Sequence, residues 1–92
     1  MTEFADAQLQ ARLYGRTFRA PSQESLTALR LGAFVKVATG GERFWVRLTQ
    51  VQGDALRGVL DNVVQNTARH GLHMGDEVAF EKRHVYQVIL PS

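Results

Sequence analysis

Cysteine is missing from all 92 residues, which excludes a disulfide framework, thiolate catalysis and cysteine-ligated zinc. Nor does any stretch run apolar for long enough to cross a bilayer, so membrane insertion is not expected. Charge of one sign is equally scarce: 11 Lys and Arg stand against 9 Asp and Glu, leaving a formal charge of +2. That balance falls short of the concentrated basic surface of a dedicated nucleic-acid binder, although the arginines are spread so that a local basic face is compatible with it. The motifs of common chemistries are missing too. There is no Gly-Lys-Ser/Thr phosphate loop, no Gly-x-Ser-x-Gly elbow and no His-Glu-x-x-His helix. Met1 to Gln8 has neither a basic n-region nor an apolar h-region and does not read as a secretory signal, so a cytoplasmic location is expected.

What is present is a compact alternating pattern. A chain of this length builds one domain and buries only about 60–65% of its unfolded surface, so a single core is expected over residues 1–92. Within it, residues 1–15 read as an N-terminal helix and residues 16–92 as a β-rich core. Glu3 to Tyr14 carries good helix formers and stops at Gly15. Projected on a helix, Phe4, Ala7, Ala11 and Tyr14 form one apolar stripe and Ala5, Leu9 and Leu13 a second on nearly the opposite side. Two stripes call for two partners: the domain, and a further element, a second subunit or another protein.

Thr17 to Ala20 reads as a short edge strand ended by Pro21, and Ser22 as the N-cap of a brief helix with Leu26 and Leu29, stopped by Gly32. Strands follow. Ala33 to Ala38 places Val35 and Val37 on one side, and Thr39-Gly40-Gly41 turns the chain into the longest strand. There Phe44, Val46 and Leu48 share one face and Arg43, Trp45 and Arg47 the other, as a period of two requires. Across Gly53-Asp54, Ala55 to Leu60 returns with Leu56 and Leu60 on one face and Arg57 with Val59 on the other, Gly58 marking a bulge or bend. Residues 62 to 75 form an irregular connection with room for a turn of helix. Gly75-Asp76 opens a strand with Val78 and Phe80 on one side, Glu81-Lys82-Arg83 is a charged turn, and His84 to Leu90 is the final strand, both of whose faces are apolar. The fold class that follows is α+β and mostly β: a small, strongly bent antiparallel sheet or partly open barrel with an N-terminal helix. Its expected core is Val35, Val37, Phe44, Val46, Leu48, Leu56, Leu60, Val78, Phe80 and either Val85 or Tyr86.

Glu42-Arg43-Phe44-Trp45-Val46, Gly53-Asp54, Gly58, Leu60-Asp61-Asn62 and Gly75-Asp76-Glu77-Val78-Ala79-Phe80, with Phe18-Arg19-Ala20-Pro21-Ser22 upstream, form a long ordered pattern. It resembles a bacterial family catalogued as domain of unknown function 2314. Ala33 stands where that family favours Asp and Val64 where it favours Pro, departures that fall in loops. The resemblance implies a small β-rich domain and brings no activity or catalytic residue with it.

The candidate site is the row Arg43, Trp45 and Arg47, continued by Arg57 on the paired strand. Arg and Trp are enriched in protein-binding hot spots. The same row also suits phosphates held by guanidinium groups with a base stacked on the indole, at about 1–3 kcal/mol per stacked base. Against both stands burial: Trp45 lying under the N-terminal helix with the arginine stems over it and their heads in water. His70 and His73 read as solvated loop histidines rather than as part of a metal set with His84 as a third nitrogen. Asp61 and Asp76 read as turn formers, with Glu77 and Glu42 at strand starts, rather than as an acid–base pair. No catalytic residue, cofactor or metal is expected. The leading expectation is a non-enzymatic small interaction module binding a protein partner or itself. The alternative is weak single-stranded nucleic-acid binding through the Arg/Trp strand face.

Overall fold

The computed structural model describes residues 4–15, 20–62 and 71–91. Five strands form one antiparallel sheet: β1 (Phe34–Thr39), β2 (Glu42–Gln52), β3 (Ala55–Leu60), β4 (Glu77–Glu81) and β5 (Gln87–Ile89). Their order is β4-β3-β2-β1-β5, and two short helices, α1 (Ala7–Leu13) and α2 (Gln23–Thr27), accompany them. The expected mostly-β α+β fold is the observed one, and the sheet stays open rather than closing into a barrel. The short edge strand expected at Thr17 to Ala20 falls largely outside the described residues, as does the turn of helix considered within the 62–75 connection.

Bending follows from the connection between the two edges. From Glu81 to Gln87 the chain passes from one edge strand to the other, and Lys82–His84 forms a 3-10 turn. Three residues at about 2 Å and three at about 3.4 Å reach about 16 Å, whereas the edges of a flat five-stranded sheet lie about 19 Å apart. The sheet therefore curls. Inside the curl sit Val35, Val37, Phe44, Val46, Leu48, Leu56, Leu60, Val78 and Phe80, all buried as their parity requires. Val85, fully buried in the short connection, joins them.

Two local devices set the strand phases. Gly40 and Gly41 both have positive φ, 58° and 78°, which lets a two-residue turn join Thr39 to Glu42 at no steric cost. On β2 the register slips between Leu48 and Gln50, so Thr49 is an extra residue opposite β3. Gly58 lies across from this bulge. A Cβ there would collide with the Val46 side chain and stand 2.5 Å from the Arg47 carbonyl oxygen, so glycine permits the close approach.

The helices close the inner side. Ser22 caps α2 by accepting from the Ser25 amide at 3.1 Å, as its sequence position implied, and Leu26 and Leu29 enter the core. The first helix is shorter than its composition suggested, because the Asp6 carboxylate accepts from the Leu9 amide at 2.9 Å and starts the helix at Ala7. Phe4 consequently precedes the helix and packs edge-on against Phe80, ring centroids 5.8 Å apart. Tyr14 takes a non-helical C-cap conformation (φ −129°) and leaves the stripe that contains Ala7, standing 57% exposed. Arg83 reaches Asp6 at 2.9 Å and Glu81 at 2.6 Å, tying the helix cap to the 3-10 turn.

The C-terminal segment departs most from expectation. The strand expected from His84 to Leu90 covers only Gln87–Ile89. The 3-10 turn and the bend after it suspend alternation, so Val85 and Tyr86 are both buried where only one was expected. Leu72 also enters the core from the connection before β4.

Candidate functional site

With α1, α2 and the β4–β5 connection contributing to the core, the other side of the sheet is formed mainly by side chains of the strands, and Tyr86 of that connection meets it at Arg43. Antiparallel register lays out this outer face. One cross-strand row runs Ile89, Phe34, Arg47, Val59 and Glu77; the next places Gln87, Lys36 and Trp45 side by side; Ala38 pairs with Arg43 beyond them. Beyond the bulge the face continues as Gln50, Arg57 and Ala79, beside a shallow depression that these residues help to line.

All four residues of the expected row therefore lie on one face. Arg43, Arg47 and Arg57 are exposed, and Trp45 is half-buried while Phe44 is fully buried. The cover over Trp45 is not α1, whose buried residue is Ala7 and which follows the core residue Phe4 on the inner side. Instead the Lys36 ammonium lies 4.7 Å from the centre of the indole ring. Arg43 similarly lies 5.0 Å from the centre of the Tyr86 ring. Burial pushes the Tyr86 phenol above its usual value of 10.0, opposed by the Arg43 charge.

The backbone at Trp45 is held on both sides. Its amide donates to Asn62 Oδ1 at 2.6 Å and its carbonyl accepts from the Asp61 amide at 2.9 Å, extending the β2–β3 pairing past the end of β3. The indole is thus presented from a fixed strand rather than from a loop.

Charges divide along the face. Arg57 pairs with Glu77 at 2.8 Å across β3 and β4, both side chains more than half exposed. Lys36, Arg43 and Arg47 have no carboxylate within ion-pair distance among the described residues. Lys36, Phe34, Val59 and Ile89 were absent from the row read along β2. Pairing β1 to β2 through Gly40-Gly41 would have brought in the first two.

Other expected chemistry is dispersed. His70 lies outside the described residues, His73 is exposed, and His84, considered as a third nitrogen, is buried in the 3-10 turn. The His84 Nδ1 accepts from the Glu81 amide at 3.0 Å, which requires an unprotonated nitrogen there. Burial, followed by the Arg83 charge, holds its pKa below the usual 6.5. Asp76 forms the turn expected of it, its Oδ2 accepting from the His73 amide at 2.9 Å. Among the described residues, no three His, Asp or Glu side chains gather as a metal set, and no helix is long and apolar enough to cross a membrane.

No protein-family model, curated protein or solved structure matches this chain.

Proposed function

We propose that this chain is a non-enzymatic interaction module that binds a protein partner on the outer face of its sheet, through Arg43, Trp45, Arg47 and Arg57. The observation that carries this reading is the composition of that face. Half-buried Phe34, Trp45 and Val59 and exposed Ile89 alternate with exposed guanidinium groups on rigid strands. Aromatic residues and arginine are the residue types that dominate binding energy at protein interfaces. Single-stranded nucleic acid fits less well, because the aromatic ring faces it would stack on already carry Lys36 and Arg43. A cytoplasmic setting and the domain-of-unknown-function 2314 resemblance are compatible with this reading and supply no activity of their own.

The test uses a photo-crosslinking residue at Val59. Discrete protein adducts formed in cells, lost in an Arg43→Glu/Arg47→Glu variant and missing when the crosslinker stands at Gln23 on α2, would support the reading. Equal adducts from both positions, or none from Val59, would refute it.

A second reading, self-association, rests on a different surface. Leu9 is 45% and Leu13 63% exposed, so the second apolar stripe of α1 is unoccupied within the described chain. Sedimentation should then show a dimer that Leu9→Glu/Leu13→Glu dissociates without loss of folding. A monomeric parent protein at high concentration would eliminate it.

A further inference from the structure

We infer that the occupant of the outer face is an extended acidic segment of a partner protein, with carboxylates four residues apart and an apolar side chain midway between them; this rests on the protein-binding reading above. Two observations lead to it. First, the cations are unequally satisfied: Arg57 and Arg83 each have carboxylate partners at 2.6–2.9 Å, whereas Lys36, Arg43 and Arg47 have none among the described residues. These three cluster where β1 pairs with β2. Second, two of them are already held in place, Lys36 over Trp45 and Arg43 over Tyr86. A cation resting on a ring keeps its outward side open to a carboxylate, and its side-chain freedom is partly spent before the ligand arrives.

The spacing selects the ligand's form. Arg43 and Arg47 are four residues apart on one strand, about 13 Å, with Trp45 midway and Lys36 about 4.8 Å to its side on β1. An extended segment laid along β2 places residues of one parity at the same intervals, so carboxylates four residues apart meet both arginines. The residue midway between them shares their parity, so an apolar side chain there faces the half-buried Trp45, beside the Phe34 and Val59 that flank Arg47. A polynucleotide matches the charges but has no aliphatic side chain to set between them over Trp45. An acidic peptide with interspersed apolar residues matches both.

The experiment titrates the isotope-labelled protein with three probes: a soluble synthetic peptide repeating Glu-Ser-Leu-Ser, its Lys-for-Glu counterpart, and oligothymidylate. Amide and indole signals of Lys36, Arg43, Trp45 and Arg47 should shift with the acidic peptide, and binding should weaken as salt rises. The Arg43→Glu/Arg47→Glu variant, with its thermal unfolding checked against the parent, should bind about tenfold more weakly. Arg57→Gln, whose guanidinium is already paired, should lose less than half as much. Failure of the acidic peptide to shift these signals, equal binding of the lysine peptide, or tighter binding of oligothymidylate through the same residues would each overturn the inference. Were Val59 crosslinking still to yield variant-sensitive protein adducts, the acidic chemistry alone would fall. Were that negative too, the interaction face itself would fall.

Discussion

Replacing Gly58 with alanine adds one methyl group where β3 closely approaches β2. The new carbon would press on the Val46 side chain and stand 2.5 Å from the Arg47 carbonyl oxygen and 3.1 Å from its carbonyl carbon. Favourable separations between non-bonded carbons begin at about 3.5 Å, so β3 has to retreat or β2 has to deform. Two of the three contacts are backbone atoms and cannot rotate away. Overpacking costs about 1–3 kcal/mol, and this setting belongs at the upper end, about 3 kcal/mol. Loss of glycine freedom in the unfolded chain offsets about 0.4–1 kcal/mol, leaving a net destabilisation of about 2 kcal/mol. For a domain of this size that lowers the melting temperature by about 8–16 °C. The assay is thermal unfolding followed by circular dichroism, with denaturant unfolding to confirm that the m-value is unchanged. Gly53→Ala is the control. Its Cβ would meet nothing within 4 Å, but its φ is +61°, so backbone strain alone costs it about 1 kcal/mol. Gly58→Ala should therefore be the worse of the two. A Gly58→Ala protein melting within about 2 °C of the parent would refute the steric account of the bulge.

Acidification should destabilise the fold through His84. Its folded pKa lies below the unfolded value of 6.5, so the unfolded chain takes up the proton first. Stability is then fully present above about pH 6.5 and declines as pH falls toward the folded value. Asp6 and Glu81 are lowered from 3.8 and 4.5, Asp6 chiefly by the Leu9 amide and Glu81 by Arg83, and extend the loss as pH falls below those values. Melting temperature measured from about pH 7.5 to about pH 5.5 should fall, and a His84→Gln variant should flatten that decline; a rise on acidification would contradict the assignment. Asp6→Ala removes the α1 cap and should cost about 1 kcal/mol, whereas Asp6→Asn retains a capping oxygen and should cost less. Hydrogen exchange should accelerate in α1 more than in β2 for Asp6→Ala, and equal acceleration in both would show that the cap acts on the whole domain instead.

The phase of β2 was legible because one side of the sheet is buried and the other is not, so a period of two separates Phe44, Val46 and Leu48 from Arg43, Trp45 and Arg47. The same logic placed Val35, Val37, Leu56, Leu60, Val78 and Phe80. It failed where the backbone stops alternating. Thr49 gives no local sign of a bulge; the sign is Gly58, on the opposite strand, and its meaning depends on pairing. The segment from His84 to Tyr86 looked like strand because it is apolar on both sides, but a short crossing between sheet edges buries both sides for a different reason. Within the site, the arginines and Trp45 could be read from one strand, while Lys36 over the indole is a cross-strand fact.

Arg83 joins two stretches 77 positions apart, and Phe4 meets Phe80 beside it. During synthesis the helix leaves the ribosome long before its anchor exists. Until β4 and the turn after it are made, Leu9 and Leu13 accompany an undocked amphipathic segment, the interval in which a chaperone or a neighbouring nascent chain would compete for it most effectively.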